Sequence, residues 1–225
     1  MGSVIGDILP LALGVAISPV PIIAVILMLF SARARSNGPA FLAGWVLGLA
    51  AVGVIVLALA GAAGVEDDGG PSTVASVVKL LLGLLLLVMA ARQWRERPEP
   101  GQEAAVPGWM RAIDSFTAGR ALGLAALLSA VNPKNLALAV SASATIAQAG
   151  LSGGAAAAAL AVFVVLASLS IAVPVVFYLV GGSRAKATLD GWRSWLSANN
   201  ATVMTVLLAV FGTVLLGKGI GGLFA

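Results

Sequence analysis

The sequence predicts an all-α membrane protein of six transmembrane helices, built as two inverted three-helix repeats whose first and fourth helices are broken by prolines at mid-membrane. Three observations carry this. Of the 225 residues, 60% are hydrophobic and 10% charged, with a mean hydropathy of +1.06, far outside the range of soluble domains. Six apolar runs are long enough to cross a bilayer, at about residues 4–30, 39–59, 76–91, 121–148, 154–180 and 201–216. The first and fourth runs are interrupted at their middles by Ser18-Pro19-Val20-Pro21 and Asn132-Pro133-Lys134-Asn135.

The first run lacks a basic n-region and continues far beyond signal-peptide length, so it is expected to be a true span. Pro10 is expected to add a bend, and Asp7 lies near the outer end. In the second run Gly44 and Gly48 form a GxxxG that permits close helix packing, within the protomer or across a homodimer. The third is short and is expected to extend into its flanks, with Lys79 snorkelling to the surface. Residues 96–107, with Pro98, Pro100 and Gly101, read as a mobile linker between the halves. The expected organisation is a first repeat over 1–95, a cytoplasmic linker over 96–120, and a second repeat over 121–225. Apolar residues at helical spacing, Trp109, Met110, Ile113 and Phe116, and again Leu189, Trp192, Trp195 and Leu196, predict two interfacial helices or aromatic anchors.

Loop charge gives the orientation. Arg33 and Arg35 lie in the first loop, Arg92, Arg95, Arg97, Arg111 and Arg120 in the third, and Arg184, Lys186 and Arg193 in the fifth. The second loop carries Glu66, Asp67 and Asp68, and the fourth no charge. The positive-inside rule then places both termini outside the plasma membrane. The same clustering accounts for the basic pI without nucleic acid. Three spans per half put the second half into the membrane from the opposite side. A shift of 114 residues aligns Pro19 with Pro133 and Ser18 with Asn132, and matches Ala12, Leu13 and Ala16 with Ala126, Leu127 and Ala130.

Cysteine and histidine are absent, which excludes disulfides, thiolate or imidazole metal sites and Cys-His catalysis. With no nucleophile-base pair in view the chain is not expected to be an enzyme, and no cofactor or metal is implied. No P-loop is present, so any transport runs on a gradient or a partner. Lys134 is the informative residue. Its ammonium would lie roughly 20 Å from either end of its run, too deep to snorkel, and such a cation is by default a functional-site candidate. A bound anion, aided by half-helix N-termini, would neutralise it; the bland alternatives are deprotonation, or bonding to carbonyls freed at Pro19, Pro21 and Pro133. Ser18, Asn132 and Asn135 offer hydrogen bonds at the same depth, or cap the broken helices. Ser141, Ser143 and Thr145 in the fourth run, and Ser168 and Ser170 in the fifth, either line a path or bond their own helix backbones.

These motifs carry a resemblance. Six spans, a polar-proline break in the first and Asn132-Pro133-Lys134 in the fourth resemble the lysine exporter (LysE) superfamily of small bacterial transporters. The opening Leu9-Pro10 through Ser18-Pro19-Val20-Pro21, a short basic loop, then Phe41, Gly44 and Trp45 look like its actinobacterial GAP branch, named for addressing peptidoglycolipids to the cell surface. The resemblance covers nearly the whole chain and implies export of a lipid or glycolipid. It carries the family's proline motifs onto Ser18, Pro19, Pro21, Asn132, Pro133 and Lys134. Lacking deep acidic residues, this chain departs from the amino-acid exporters, and a lone buried lysine disfavours cationic cargo by several kcal/mol. The expectation is therefore a transporter presenting Lys134, Asn132, Asn135 and Ser18 to an anionic or polar headgroup. Efflux of a small water-soluble solute, and an accessory subunit working with lipid-synthesis or export proteins, are the alternatives.

Overall fold

The computed structural model describes residues 1–62, 73–97, 110 and 112–224. Among these residues eight α-helices follow in order: α1 (Gly2–Ala16), α2 (Pro19–Phe30), α3 (Ala34–Ala62), α4 (Thr73–Arg95), α5 (Ala118–Ala130), α6 (Pro133–Ala147), α7 (Gly153–Gly181) and α8 (Ala185–Leu223). Among the described residues there is no strand. Each half therefore repeats one pattern, a bent pair followed by two long helices. The all-α membrane class predicted from sequence is what the chain adopts.

The two bends fall at the predicted positions. α1 and α2 meet at 54°, α5 and α6 at 65°. Pro19 and Pro133 each open the second helix of the pair, where a missing N–H costs nothing. Each bent pair, taken together, is long and apolar enough to form one span, which gives four to six candidate spans among the described residues. Asp7 in α1 meets Lys218 near the end of α8 (3.3 Å), while Phe30 at the end of α2 lies beneath Arg193 near its start (5.9 Å to the ring centroid). Those two positions of α8 stand about 37 Å apart at 1.5 Å per residue, more than the hydrocarbon thickness.

Paired contacts sort the ends into two faces. Asp7–Lys218 and Lys79–Gln148 (2.9 Å) gather the N-terminus, the start of α4, the end of α6 and the end of α8. Asn37, whose Nδ2 donates to the Phe116 carbonyl (2.9 Å), joins the start of α3 to the approach to α5 on the other face. The Asp7 end of α1 and the Lys218 end of α8 thus share one face.

Helices meet on glycine. A Cβ at Gly44 would land on the carbonyl of Leu122, and one at Gly48 on Ser129 and Ala126, so the GxxxG of α3 is filled within the chain by α5. α4 lies along α8 in the same way, with Gly83 against Gly212 and Leu216, and Gly219 against Leu80. α1 packs on α6 and α7. Exchanging the two halves maps some packed pairs onto packed pairs: α3 on α5 answers α7 on α1, and α3 on α6 answers α7 on α2, whereas α1 on α6 has no such counterpart. The outer surface is apolar, with Val54, Ile55 and Leu59 of α3 and Leu81, Leu84 and Val88 of α4 facing outward, as a bilayer demands.

Several expectations need correction. No separate interfacial helix precedes the last span: Leu189, Trp192, Trp195 and Leu196 belong to the continuous 39-residue α8, about 58 Å long. Leu189 is buried, and Trp192 stacks on Phe177 at 5.8 Å. Among the described residues of the linker Met110 is helical and Ile113–Ser115 form a 3-10 turn, with Met110 and Ile113 buried in the core rather than lying in the headgroups. The third span extends to 73–95, as its short apolar run required. Trp109, most of the proposed linker and the acidic loop of Glu66, Asp67 and Asp68 lie outside the described residues.

Candidate functional site

The geometry of the centre follows from which amides proline removes. In an unbroken helix the Val15 carbonyl would accept from residue 19 and the Ile17 carbonyl from residue 21; both are prolines and have no N–H. The Gly14 carbonyl would accept from Ser18, but the Ser18 amide turns to Ala16 instead (2.9 Å). Three carbonyls are therefore left over at mid-depth, where no bulk water can serve them.

Each finds a side chain. Lys134 Nζ donates to the Gly14 carbonyl, to the Ile17 carbonyl (3.0 Å) and to Ser18 Oγ (2.9 Å). Ser18 Oγ in turn donates to the Val15 carbonyl (2.7 Å), with Asn135 Oδ1 at 3.1 Å. Asn135 Nδ2 donates to the Leu128 carbonyl at the second break (3.1 Å). All three ammonium hydrogens are used, and Lys134 is 1% exposed, Ser18 2% and Asn135 0%. Ser18, Lys134 and Asn135 thus tie the two broken spans together across the middle of the protein.

In this conformation the Lys134 ammonium is solvated by the C-terminal end of α1, whose outward carbonyls carry the negative end of the helix dipole. This is the alternative in which proline-freed carbonyls satisfy the lysine. Removing the Lys134 ammonium would strand the buried Gly14 and Ile17 carbonyls.

The remaining sequence candidates fall in different places. Asn132 caps α6, its Oδ1 accepting from the Lys134 amide (3.1 Å). Ser18, expected to cap α2, makes no such bond and turns back to α1 instead. Thr145 Oγ1 donates to the Ser141 carbonyl (2.9 Å) and Ser168 Oγ to the Val164 carbonyl (2.7 Å), each within its own helix. Ser141 is fully buried with no hydrogen-bond partner among the described residues. Thr145 also lines a cavity at the face shared by the termini. Ser18→Ala, which removes one donor and one acceptor from the bracket, is expected to cost about 2 kcal/mol, read as a lower thermal midpoint of the purified protein.

Sequence reasoning missed three features. The Gly14 and Ile17 carbonyls were legible from the positions four residues before Ser18 and Pro21. Gly14 must also be glycine, since a Cβ there would meet Phe211 and Leu138. Lys79 does not snorkel: it is 9% exposed and donates to Gln148 Oε1, inside the cavity that Thr145 lines.

A second cavity, about 490 Å³, opens beside the first break. Leu13 and Ala16 of α1, Ile22 of α2, Leu166, Leu169 and Val173 of α7, and Trp192, Trp195 and Leu196 of α8 form its almost wholly apolar wall. Its polar point is Ser170, whose Oγ has no partner among the described residues. Lys134 lines neither cavity.

No curated protein and no solved structure matches the chain. A protein-family model described as Sap, sulfolipid-1-addressing protein, matches residues 8–221, which take in both breaks, the bracket and parts of all eight helices, and the chain belongs to that family.

Proposed function

We propose that the protein exports a lipid with an anionic headgroup across the plasma membrane, with both termini extracytoplasmic. The observation that carries this is the apolar groove beside the first break, a lining suited to an alkyl chain and unsuited to a hydrated solute. The family description, which names a sulfolipid, supports an anionic headgroup. Arg33, Arg35, Arg92, Arg95, Lys186 and Arg193 flank the face opposite the termini, so the positive-inside rule makes that face cytoplasmic. The inverted-repeat relation of residues 1–95 and 121–225 belongs to this reading, supported by the exchange of packed pairs between halves. So do the kinship with the lysine exporter superfamily and an actinobacterial source, which rest on the proline motifs.

In this reading the acyl chains stay in the groove and the surrounding bilayer while the headgroup passes the broken spans. The conformation described is the closed one. Opening separates the two bends, and headgroup oxygens replace the Gly14 and Ile17 carbonyls on the Lys134 ammonium. Asn135 and Ser18 move with their own helix breaks and close the bracket again afterwards. The protein carries out no covalent chemistry on the lipid.

Filling the groove tests the reading without touching the bracket. Leu169 is 45% exposed and faces the groove, so Leu169→Trp is expected to fold normally. Native mass spectrometry of protein from its own membranes should find an anionic lipid enriched over bulk in wild type and lost from Leu169→Trp. Bound lipid matching the bulk composition in both proteins would reject lipid export and direct the search to a small soluble solute.

A further inference from the structure

The cavity at the face of the termini has a different character from the groove. It measures about 410 Å³ and is lined by Ser3 and Asp7 of α1, Lys79 of α4, Thr145 and Gln148 at the end of α6, and Lys218 of α8. It therefore draws on four helices from both halves of the chain. Among the described residues two ammonium groups and one carboxylate line it, an excess of positive charge. Asp7 is paired with Lys218 at 3.3 Å, with both side chains partly open to solvent. Lys79, by contrast, is 9% exposed and among the described residues has a single acceptor, Gln148 Oε1, for its three ammonium hydrogens. Gln148 Nε2 is buried with no acceptor at all among the described residues. A largely buried ammonium with hydrogens to spare and a glutamine whose amide nitrogen is buried and unmatched line one pocket, and buried donors of this kind are ordinarily matched by acceptors.

We infer that this cavity binds an oxyanion, a sulfate or phosphate monoester, through Lys79, Lys218 and Gln148 Nε2, and serves as the outer station for the headgroup of the exported lipid. A tetrahedral oxyanion supplies several acceptors around one negative centre, the complement of three convergent donors. Asp7 opposes the anion and competes for Lys218. This keeps the site weak enough to release its occupant outward. The inference rests on the export reading for the source of the anion, while the anion site itself stands on the cavity alone.

The test measures binding of inorganic sulfate and of dioctanoyl phosphatidic acid to the purified full chain in neutral detergent, with dioctanoylglycerol as the uncharged control. Lys218→Gln is expected to weaken both anionic ligands about tenfold, and Asp7→Asn to tighten both about threefold, because they remove charges of opposite sign near one site. Dioctanoylglycerol should be indifferent to either change. The opposed signs separate a charge effect from misfolding, which would weaken binding in both variants. Affinities unchanged by both variants, or no binding of either anion, would overturn the site. Sulfate binding with the predicted variant pattern, but no binding of phosphatidic acid, would uphold the anion site and overturn the lipid as its source.

Discussion

Lys134→Ala is expected to lower stability by about 4 kcal/mol and to abolish export. The ammonium satisfies two buried carbonyls, and leaving a buried acceptor unpaired costs about 1–3 kcal/mol each, before the void left by the side chain is counted. Lys134→Met separates these effects. Methionine fills much of the volume and has no hydrogens to donate, so it should recover part of the stability and none of the export. Thermal unfolding followed by the fluorescence of the five tryptophans measures the first, and cell-surface lipid the second. A Lys134→Ala protein as stable as wild type would mean that the Gly14 and Ile17 carbonyls are satisfied elsewhere, and the bracket would have to be discarded.

Two glycines near the α3–α5 crossing should respond to the same substitution with opposite signs. Gly44→Ala drives a methyl group into the Leu122 carbonyl, forcing helices that meet backbone to backbone apart over their whole contact. Overpacking of this kind costs about 1–3 kcal/mol where side chains can yield, and here the obstacle is main chain, so the expected loss is at or above that range. Gly123, one residue beyond Leu122 on α5, sits in a helix interior, and a methyl group there would meet nothing within 4 Å. Gly123→Ala should therefore stabilise by about 0.5–1 kcal/mol through helix propensity. Yield and thermal midpoint of the two variants check the pair. Equal tolerance at both positions would show that α3 and α5 are not in backbone contact.

The helical class, the long apolar helices and both bends were legible because they depend on local chemistry. Apolar run length fixes what can cross a bilayer, and proline removes an amide wherever it stands. Lys134 stood out for the same reason, as a charge in a run with no carboxylate. Carbonyls freed by proline were among its expected partners, and Ile17 is one of them, freed at Pro21; the Gly14 carbonyl stood out less, because it is freed by the turn of the Ser18 amide and not by a missing N–H. The Lys79 environment was hidden likewise. Near a span end a lysine reads as a snorkelling residue, and its turn inward depends on Gln148 of another helix. The interfacial helix before the last span failed on a boundary: charges between Leu189 and Leu196 mark where the helix leaves the bilayer, not where it stops.

The central claim is that this chain by itself carries a lipid across the membrane. The direct measurement is the rate at which the co-purified anionic lipid changes leaflets in proteoliposomes containing only the purified protein. Wild type should exceed protein-free vesicles, while Lys134→Met and Leu169→Trp should not. A wild-type rate equal to that of protein-free vesicles would contradict the claim and leave the protein as an accessory part of a larger export machine.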